Sequence, residues 1–416
     1  MKVLLVHAKD ARLPSPSDPP DREGGNGGIS VHLTGLVQAM RDRGWTVGMI
    51  RFVENAKSVS DAPAHYYELR SVYNRVRPGV RRSFREILKR EDPDVVHVHS
   101  VFHSMSASML DELARTKPLV YTLHDVTPIC YWSTKLRRDG RLCDAPVGFT
   151  CLTGGCYQLG ACHGAVRDVY RLVRDSVRLA GHRRLPVMTV PSGYLRKQLI
   201  VNRFPPERIR VVPGFSRFAD CNGTSSGLPK NKNILFVGRL VVEKGILEVV
   251  RALGLLRAMD WQATIIGEGP ALAEATRLVE EKKLSSRVQF VGPASPAELH
   301  RHYENCFMMV MPSLIPESFG MVGVEAMSFS RPVVAYASGG VTEWMQDEVN
   351  GFLVEHGNFR RLAERMDRLL ADRDLATRMG HSGREQVSAR FGVRHHVDLL
   401  EGAFQEAADR FARARQ

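Results

Sequence analysis

No apolar run in the chain approaches the roughly 20 residues that a bilayer-spanning helix requires. The longest runs, VLLV near the start and FMMVM near residue 309, have the length of strands. The opening MKVLLVHAKD turns charged too soon for a secretory signal, so a soluble, cytoplasmic protein is expected. No aromatic-interleaved RNA motif and no recognisable DNA-binding pattern accompanies the basic residues, and nucleic acid is not expected as a partner.

What is present is enough material for two cores. With 416 residues, 44% of them hydrophobic, the default is two domains of about 200 residues each. The net charge of +13 is unevenly placed: residues 1–220 hold 34 Lys and Arg against 21 Asp and Glu, while residues 221–416 hold 24 of each kind. RVRPGVRRSFREILKR and RDVYRLVRDSVRLAGHRRL carry much of the surplus. Such a surface suits an acidic membrane face or an acceptor bearing phosphate, and also suits a merely solvated helix face.

Both halves alternate short β-rich runs with helix-length amphipathic stretches, the pattern of an α/β protein with parallel sheets covered on both faces. The first half offers VLLVHA, TVGMIR, DVVHVHS, PLVYTLH and PVMTVPS as strands; the second offers NILFVGR, QATIIGE, RVQFVG, FMMVMPS and PVVAYA. Between them, SRFADCNGTSSGLPKNKN is polar and lacks hydrophobic periodicity. The expected organisation is a doubly wound domain over 1–215, a linker over 216–232, a second doubly wound domain over 233–395 and a C-terminal helix over 396–416. A cleft between the carboxyl ends of the two sheets is where ligands are expected.

The second half carries two carboxylates around a helix start. In PESFGMVGVEAMSFSRPVVA, Glu317 follows an apolar strand and Glu325 lies in a small-residue helix beginning near Phe319. Free N–H groups at a helix start attract phosphate, whereas carboxylates suit the hydroxyls of a ribose or sugar. Arg239 directly follows the strand of NILFVGRLVVEKGI and Lys244 comes five residues later, two cations able to neutralise a diphosphate. In the first half, Gly24, Gly25, Gly27 and Gly28 precede a helix starting near Ile29, though not with dinucleotide-fingerprint spacing.

Taken in order, the Gly-rich loop, YTLHD, VGRLVVEKG, IIGEGP, FVGPAS, PESFGMVGVEAM and SGGVTEWMQDEVNGFLV resemble the retaining glycosyltransferases of family 4 across nearly the whole chain. The resemblance implies the GT-B fold, with a nucleotide-diphosphate sugar in the C-terminal domain and the acceptor in the N-terminal one. It implies that Arg239 and Lys244 contact the diphosphate, Glu325 the ribose and Glu317 the donor sugar. Backbone N–H groups of Phe319, Gly320, Met321 and Val322 would meet sugar and phosphates, and Pro293 and Ala294 would edge the base. His124 matches the histidine beside the transferred sugar, and Gly28 the loop that approaches the phosphates. No Asp-x-Asp cation site stands in the matching positions, so no catalytic metal is expected, and the donor's phosphate would take the acceptor's proton. The same resemblance leaves the donor as a UDP- or GDP-sugar and the acceptor as a glycan, a lipid-linked molecule or a small metabolite; the basic first half favours an anionic or membrane-borne acceptor, with peripheral attachment to the inner membrane face as an expectation. A GT-B epimerase or phosphorylase, or a non-catalytic relative, shares the plan, but an epimerase's acid/base carboxylates and a phosphorylase's pyridoxal lysine cannot be placed.

One segment departs from this plan. Five of the seven cysteines, Cys130, Cys143, Cys151, Cys156 and Cys162, fall within residues 130–163, next to His163. Their spacing matches no standard paired zinc pattern. A structural zinc or iron–sulfur site, disulfides, and free thiols in a structured insertion all stay open.

Overall fold

The computed structural model describes residues 1–8, 28–53, 65–70, 78–99, 105–130, 132–137, 139–153, 156, 162–219 and 227–416. The chain divides into two units, Met1–Pro213 with His396–Gln416, and Gly214–His395.

The first unit is built on a parallel sheet of seven strands: β1 (Lys2–Ala8), β2 (Thr46–Val53), β3 (Tyr66–Arg70), β4 (Val95–His99), β5 (Leu119–Thr122), β6 (Val187–Val190) and β7 (Ile209–Val211), ordered β3-β2-β1-β4-β5-β6-β7. Its helices are α1 (Gly28–Asp42), α2 (Pro78–Glu91), α3 (Ala107–Thr116), α4 (Phe149–Thr153), α5 (Cys162–His182) and α6 (Gly193–Val201). Strands such as VVHVH and VMTV are buried along their whole length, as expected of β-branched runs in a sheet covered on both faces.

The second unit has a parallel six-stranded sheet of β8 (Lys232–Val237), β9 (Trp261–Ile266), β10 (Val288–Gly292), β11 (Met308–Met311), β12 (Val333–Tyr336) and β13 (Gly351–Val354), ordered β10-β9-β8-β11-β12-β13. Its helices are α7 (Ile246–Leu253), α8 (Leu272–Glu281), α9 (Pro296–Asn305), α10 (Met321–Ser328), α11 (Phe359–Ala371) and α12 (Arg373–Arg390). Alternation along each strand feeds two separate cores. Ile234, Phe236, Met308, Val310, Val334 and Tyr336 enter one, while Leu235, Met309, Met311, Val333 and Ala335 enter the other. A period of two that is apolar on both faces is what a doubly covered sheet demands.

All ten strand candidates from the sequence are strands here, and three further ones, β3, β7 and β13, join them. The last helix, α13 (Val393–Arg413), runs from the second unit into the first, where residues 396–416 pack. Its buried face, His396, Val397, Leu400, Ala403, Phe404 and Ala407, has helical spacing. Phe404 packs edge-on against His97 at 5.2 Å, and Arg43 holds Asp398 and Glu401. Of the segment 216–232, Phe218 sits in the second unit's core and Ser216 Oγ lies 2.8 Å from Ser328 Oγ, so residues 216–218 pack as part of that unit. Residues 220–226 lie outside the described residues.

Candidate functional site

Strand order in the second sheet reverses between β8 and β11. Ligands of open α/β sheets bind outside the carboxyl ends of the strands at such a reversal. The loop leaving β8 carries Arg239 and Lys244; the loop leaving β11 carries Ser313, Glu317 and Gly320. Gly245 makes their approach possible. Its φ is +77°, and a Cβ there would stand 1.9 Å from the Pro312 carbonyl oxygen, so only glycine lets the two loops touch.

The result is a cluster around one carboxylate oxygen. Glu317 Oε1 accepts from Lys244 Nζ at 2.6 Å and from Ser313 Oγ at 2.5 Å. Burial pushes the Glu317 carboxyl up, but the Lys244 charge and the hydrogen bonds from Lys244 and Ser313 outweigh it and hold the carboxyl below its ordinary value. The cluster is therefore an ion pair at neutral pH. The Glu317 backbone is fixed from the other side, since its carbonyl accepts from Gly340 N–H at 2.6 Å and a Cβ at Gly339 would strike it.

Glu317 leads directly into α10. Gly320, with φ +87°, caps its start, and Met321 and Val322 are its first two residues, two positions later than the sequence suggested. Trp344, fully buried, supports this turn: its indole N–H donates to the Phe319 carbonyl at 2.5 Å, and its ring fills the space a Gly323 side chain would need. The N–H groups of a first helical turn have no intrahelical acceptor and favour an anion.

Glu325, in the middle of α10, is 6% exposed and engaged from within the unit. Tyr303 donates to its Oε2 at 2.8 Å, and Arg217 Nε lies 3.5 Å from its Oε1. Burial raises the Glu325 carboxyl, and Arg217 and Tyr303 only partly offset this. Arg239 follows β8 and is exposed; Pro293 and Ala294 follow β10, with Ser295 starting α9 through a capping box. Arg239, Lys244, Pro293, Ala294 and Glu317 lie in segments that follow strands of one parallel sheet and so share its carboxyl edge. The structure thus joins Lys244 to Glu317 but groups Glu325 with Arg217 and Tyr303. Sequence reasoning missed Ser313, Arg217, Tyr303 and Trp344. The Ser-x-x-x-Glu spacing to Glu317 was available as a signal, whereas Arg217 was hidden in a stretch read as linker.

In the first unit, Gly28 is the first residue of α1, and Gly24, Gly25 and Gly27 lie outside the described residues. His124 follows β5. Its Nε2 lies 2.9 Å from His99 Nδ1, and its ring stands edge-on to His32 at 5.1 Å. Burial lowers its pKa to about 4 against the opposing charge of Asp125, so the ring is neutral at pH 7.

The cysteines form a second grouping. Cys130 Sγ accepts from the Lys135 N–H at 3.3 Å, Cys143 N–H donates to the Lys135 carbonyl at 2.8 Å, and an antiparallel bridge joins Leu136 to Leu142. Cys156 N–H donates to the Cys151 carbonyl at 3.1 Å, and the Trp132 indole donates to the Cys156 carbonyl at 2.5 Å. Burial raises the Cys151 and Cys156 thiols, and the neighbouring cysteines raise them further. Among the described residues Cys130, Cys143, Cys151 and Cys156 form no disulfide. Among the described residues no set of three or more His, Cys, Asp or Glu is arranged to hold a metal ion. The side chains of Cys162 and His163 lie outside the described residues.

Comparison with known proteins agrees across both units. Residues 26–215 match the family model "Glycosyltransferase Family 4", and residues 224–386 match "Glycosyl transferases group 1". The chain is 30% identical over 182 residues to the alpha-D-kanosaminyltransferase of Streptomyces kanamyceticus, an overlap covering 43% of this chain and about half (47%) of that relative. It is 33% identical over 266 residues to the GDP-mannose-dependent alpha-(1-6)-phosphatidylinositol monomannoside mannosyltransferase of Mycobacterium tuberculosis, covering 58% of this chain and 67% of that one. In fold it resembles Anabaena Alr3699/HepE in complex with UDP, with a TM-score of 0.68 at 18% identity over 97% of this chain and 100% of the other. Both sheets match the GT-B plan.

Proposed function

The chain belongs to glycosyltransferase family 4, and on that premise we propose that it is a retaining glycosyltransferase that moves a sugar from a UDP- or GDP-sugar to a glycan, lipid-linked or small-molecule acceptor. The observation that carries the reading is the Lys244–Glu317–Ser313 cluster at the strand-order reversal, four residues before the start of α10. A GDP-mannose-dependent relative and a fold neighbour solved with UDP-glucose support a nucleotide-sugar donor.

In this reading the exposed Arg239 guanidinium and the N–H groups opening α10 hold the diphosphate, and negative charge grows there as the bond to the sugar breaks. Lys244 divides its three N–H donors between Glu317 and the donor. Glu317, ionised at neutral pH, accepts sugar hydroxyls and stabilises positive charge on the departing sugar. It is neither nucleophile nor base, since the leaving phosphate oxygen takes the acceptor's proton as the new bond forms on the same face. Glu325 keeps acceptor capacity for ribose hydroxyls beyond its bonds to Tyr303 and Arg217. His124 is the first unit's hydrogen-bonding group for the sugar. Side-chain cations, not a metal, carry the diphosphate.

Thermal-shift screening against UDP- and GDP-sugars tests the donor assignment. At 100-fold saturation a ligand stabilises its protein by about 2.7 kcal/mol, so one base should raise Tm by several degrees. The absence of a shift with every sugar nucleotide would overturn the reading.

The acceptor is read from the basic first unit. Between α2 and α3 lies a groove of about 300 Å³ floored by Phe84, Leu88, Met109 and Leu113 and edged by Arg81, Arg85, Lys89 and Lys117. Glu112 pairs with Arg81 and Arg85, and Asp92 with Lys117, leaving a cationic surplus. An apolar floor with cationic edges supports an anionic, lipid-linked acceptor and peripheral attachment to an acidic membrane. Binding to anionic vesicles should exceed binding to neutral ones and weaken with salt; equal binding to both removes this part.

A further inference from the structure

The first unit holds a set of histidines that the proposed chemistry uses only at one end. His97 and His99 point from β4 and His124 follows β5, with His32 packed against His99 and His124, and His396 packed against His32. His32 and His396 rings meet edge-on at 5.1 Å, and His396 Nδ1 donates to the Pro213 carbonyl at 2.6 Å. His7, on β1, is buried without a hydrogen-bond partner among the described residues and has Arg51 beside it. Burial first, and mutual repulsion second, lower the pKa of His32, His97 and His99 well below the ordinary value. With His124 also lowered, to about 4, His32, His97, His99 and His124 are neutral at pH 7.

Neutral imidazoles obey a strict rule: one ring nitrogen donates and the other accepts. Among the described residues four contacts follow one another. His124 Nε2 meets His99 Nδ1 at 2.9 Å, His99 Nε2 meets His97 Nδ1 at 3.2 Å, His97 Nε2 meets Thr122 Oγ1 at 2.6 Å, and Thr122 Oγ1 meets Thr189 Oγ1 at 2.5 Å. Among the three rings, once one proton is placed the other two are placed too. Either all three rings carry hydrogen on Nδ1 and the line donates toward His124, or all three carry it on Nε2 and His97 donates to Thr122.

The buried end decides between them. If His97 donated to Thr122, either Thr122 or Thr189 would be left with a hydroxyl hydrogen that has no acceptor, because among the described residues Thr122 has no further hydrogen-bond partner beyond His97 and Thr189, and Thr189 none beyond Thr122. Thr189 is 1% exposed, and an unsatisfied buried donor is costly. If the line runs toward His124, Thr189 donates to Thr122, Thr122 to His97, His97 to His99 and His99 to His124, and each of these four hydrogens meets an acceptor. We propose that Thr189, Thr122, His97 and His99 form a proton-ordered relay that fixes His124 as the Nδ1–H tautomer, so that Nδ1 is a hydrogen-bond donor and Nε2 is committed to His99. These four are positioning residues. The value of a fixed donor for transfer rests on the reading of His124 as the sugar-contacting group; the relay itself does not.

Ring ¹⁵N spectra of the full-length, histidine-labelled protein at pH 7, without donor, test the relay separately from activity. The expected result is one shared tautomer, Nδ1–H, on His97, His99 and His124. In Thr122→Val, which removes the hydroxyl that feeds the line, His124 should become a mixture of tautomers, and Thr122→Ser should restore the single form. Mixed tautomers among the three rings of the wild type overturn the relay without any variant. So does a His124 that stays a single Nδ1–H tautomer in a folded Thr122→Val. Sugar transfer by His124→Ala reads the other question: undiminished turnover there removes His124 from the sugar site while the spectra still decide the relay.

Discussion

Lys244→Ala is expected to lower kcat/KM for sugar transfer by about 10²- to 10³-fold, the usual loss when one preorganised donor to a developing negative charge is removed. The same substitution strands Glu317. Its carboxylate loses the cation that opposes burial and keeps only the Ser313 hydroxyl. Breaking a buried pair from one side costs about 3–5 kcal/mol; with side-chain exposures of 26% for Lys244 and 13% for Glu317, a discounted loss of about 1–3 kcal/mol is expected. The pH dependence gives the sign. In the wild type the folded-state pKa of Glu317 is depressed, so its contribution to stability is present above the unfolded value of 4.5 and is lost as pH falls through the folded pKa. In Lys244→Ala burial wins, the folded pKa rises, and protonation on acidification relieves the stranded carboxylate. The stability gap between wild type and variant should therefore narrow as pH falls from 7 toward 4, and Glu317→Gln placed in the Lys244→Ala background should recover stability without recovering activity. Urea titrations at several pH values with steady-state kinetics measure all of this. Wild-type turnover in Lys244→Ala, or a gap that widens in acid, removes the cluster from the mechanism.

How much of this was legible in the sequence depends on whether a feature is local. Ten of the strands announced themselves as short β-rich runs, whereas β3, β7 and β13 did not, and both Lys244 and Glu317 could be placed at strand ends. Their 2.6 Å contact could not be read, because it depends on Gly245 admitting the Pro312 carbonyl, a meeting of loops from strands adjacent only at the order reversal. Glu325 was read as the ribose-binding carboxylate of the helix that follows Glu317; its hydrogen bond from Tyr303 and its ion pair with Arg217 could not be read from spacing. The histidine line was invisible for a related reason. His97, His99, Thr122 and Thr189 lie on three strands, and only the pairing of β4 with β5 and of β5 with β6 brings His99 opposite Thr122 and Thr122 opposite Thr189. The apolar face of the last helix is legible, but that it covers the first unit rather than extending the second is a tertiary choice made by Phe404 and the Arg43 ion pairs.

Gly245→Ala is expected to be the most destabilising single-methyl addition at this site, and a matched glycine separates its causes. Gly245 and Gly357 share the same left-handed backbone, φ +77° in both. An alanine at Gly357 would meet nothing within 4 Å, so it should cost only the left-handed penalty, about 1–2 kcal/mol. At Gly245 the same methyl would stand 1.9 Å from the Pro312 oxygen and 2.7 Å from its carbonyl carbon. Both are backbone atoms, so no rotamer change relieves the overlap, and one of the two loops must move. The added strain should bring the total to about 3–5 kcal/mol, the range of severe single-site changes. The movement would also part Lys244 from Glu317, so Gly245→Ala should lose donor-induced thermal stabilisation at temperatures where it is still folded, whereas Gly357→Ala should keep it. Denaturation midpoints with equal m-values and sugar-nucleotide shifts on both variants decide the point. Equal costs at the two glycines would mean that the β8 and β11 loops are not held against each other, and that the Lys244–Glu317 pair has no rigid support.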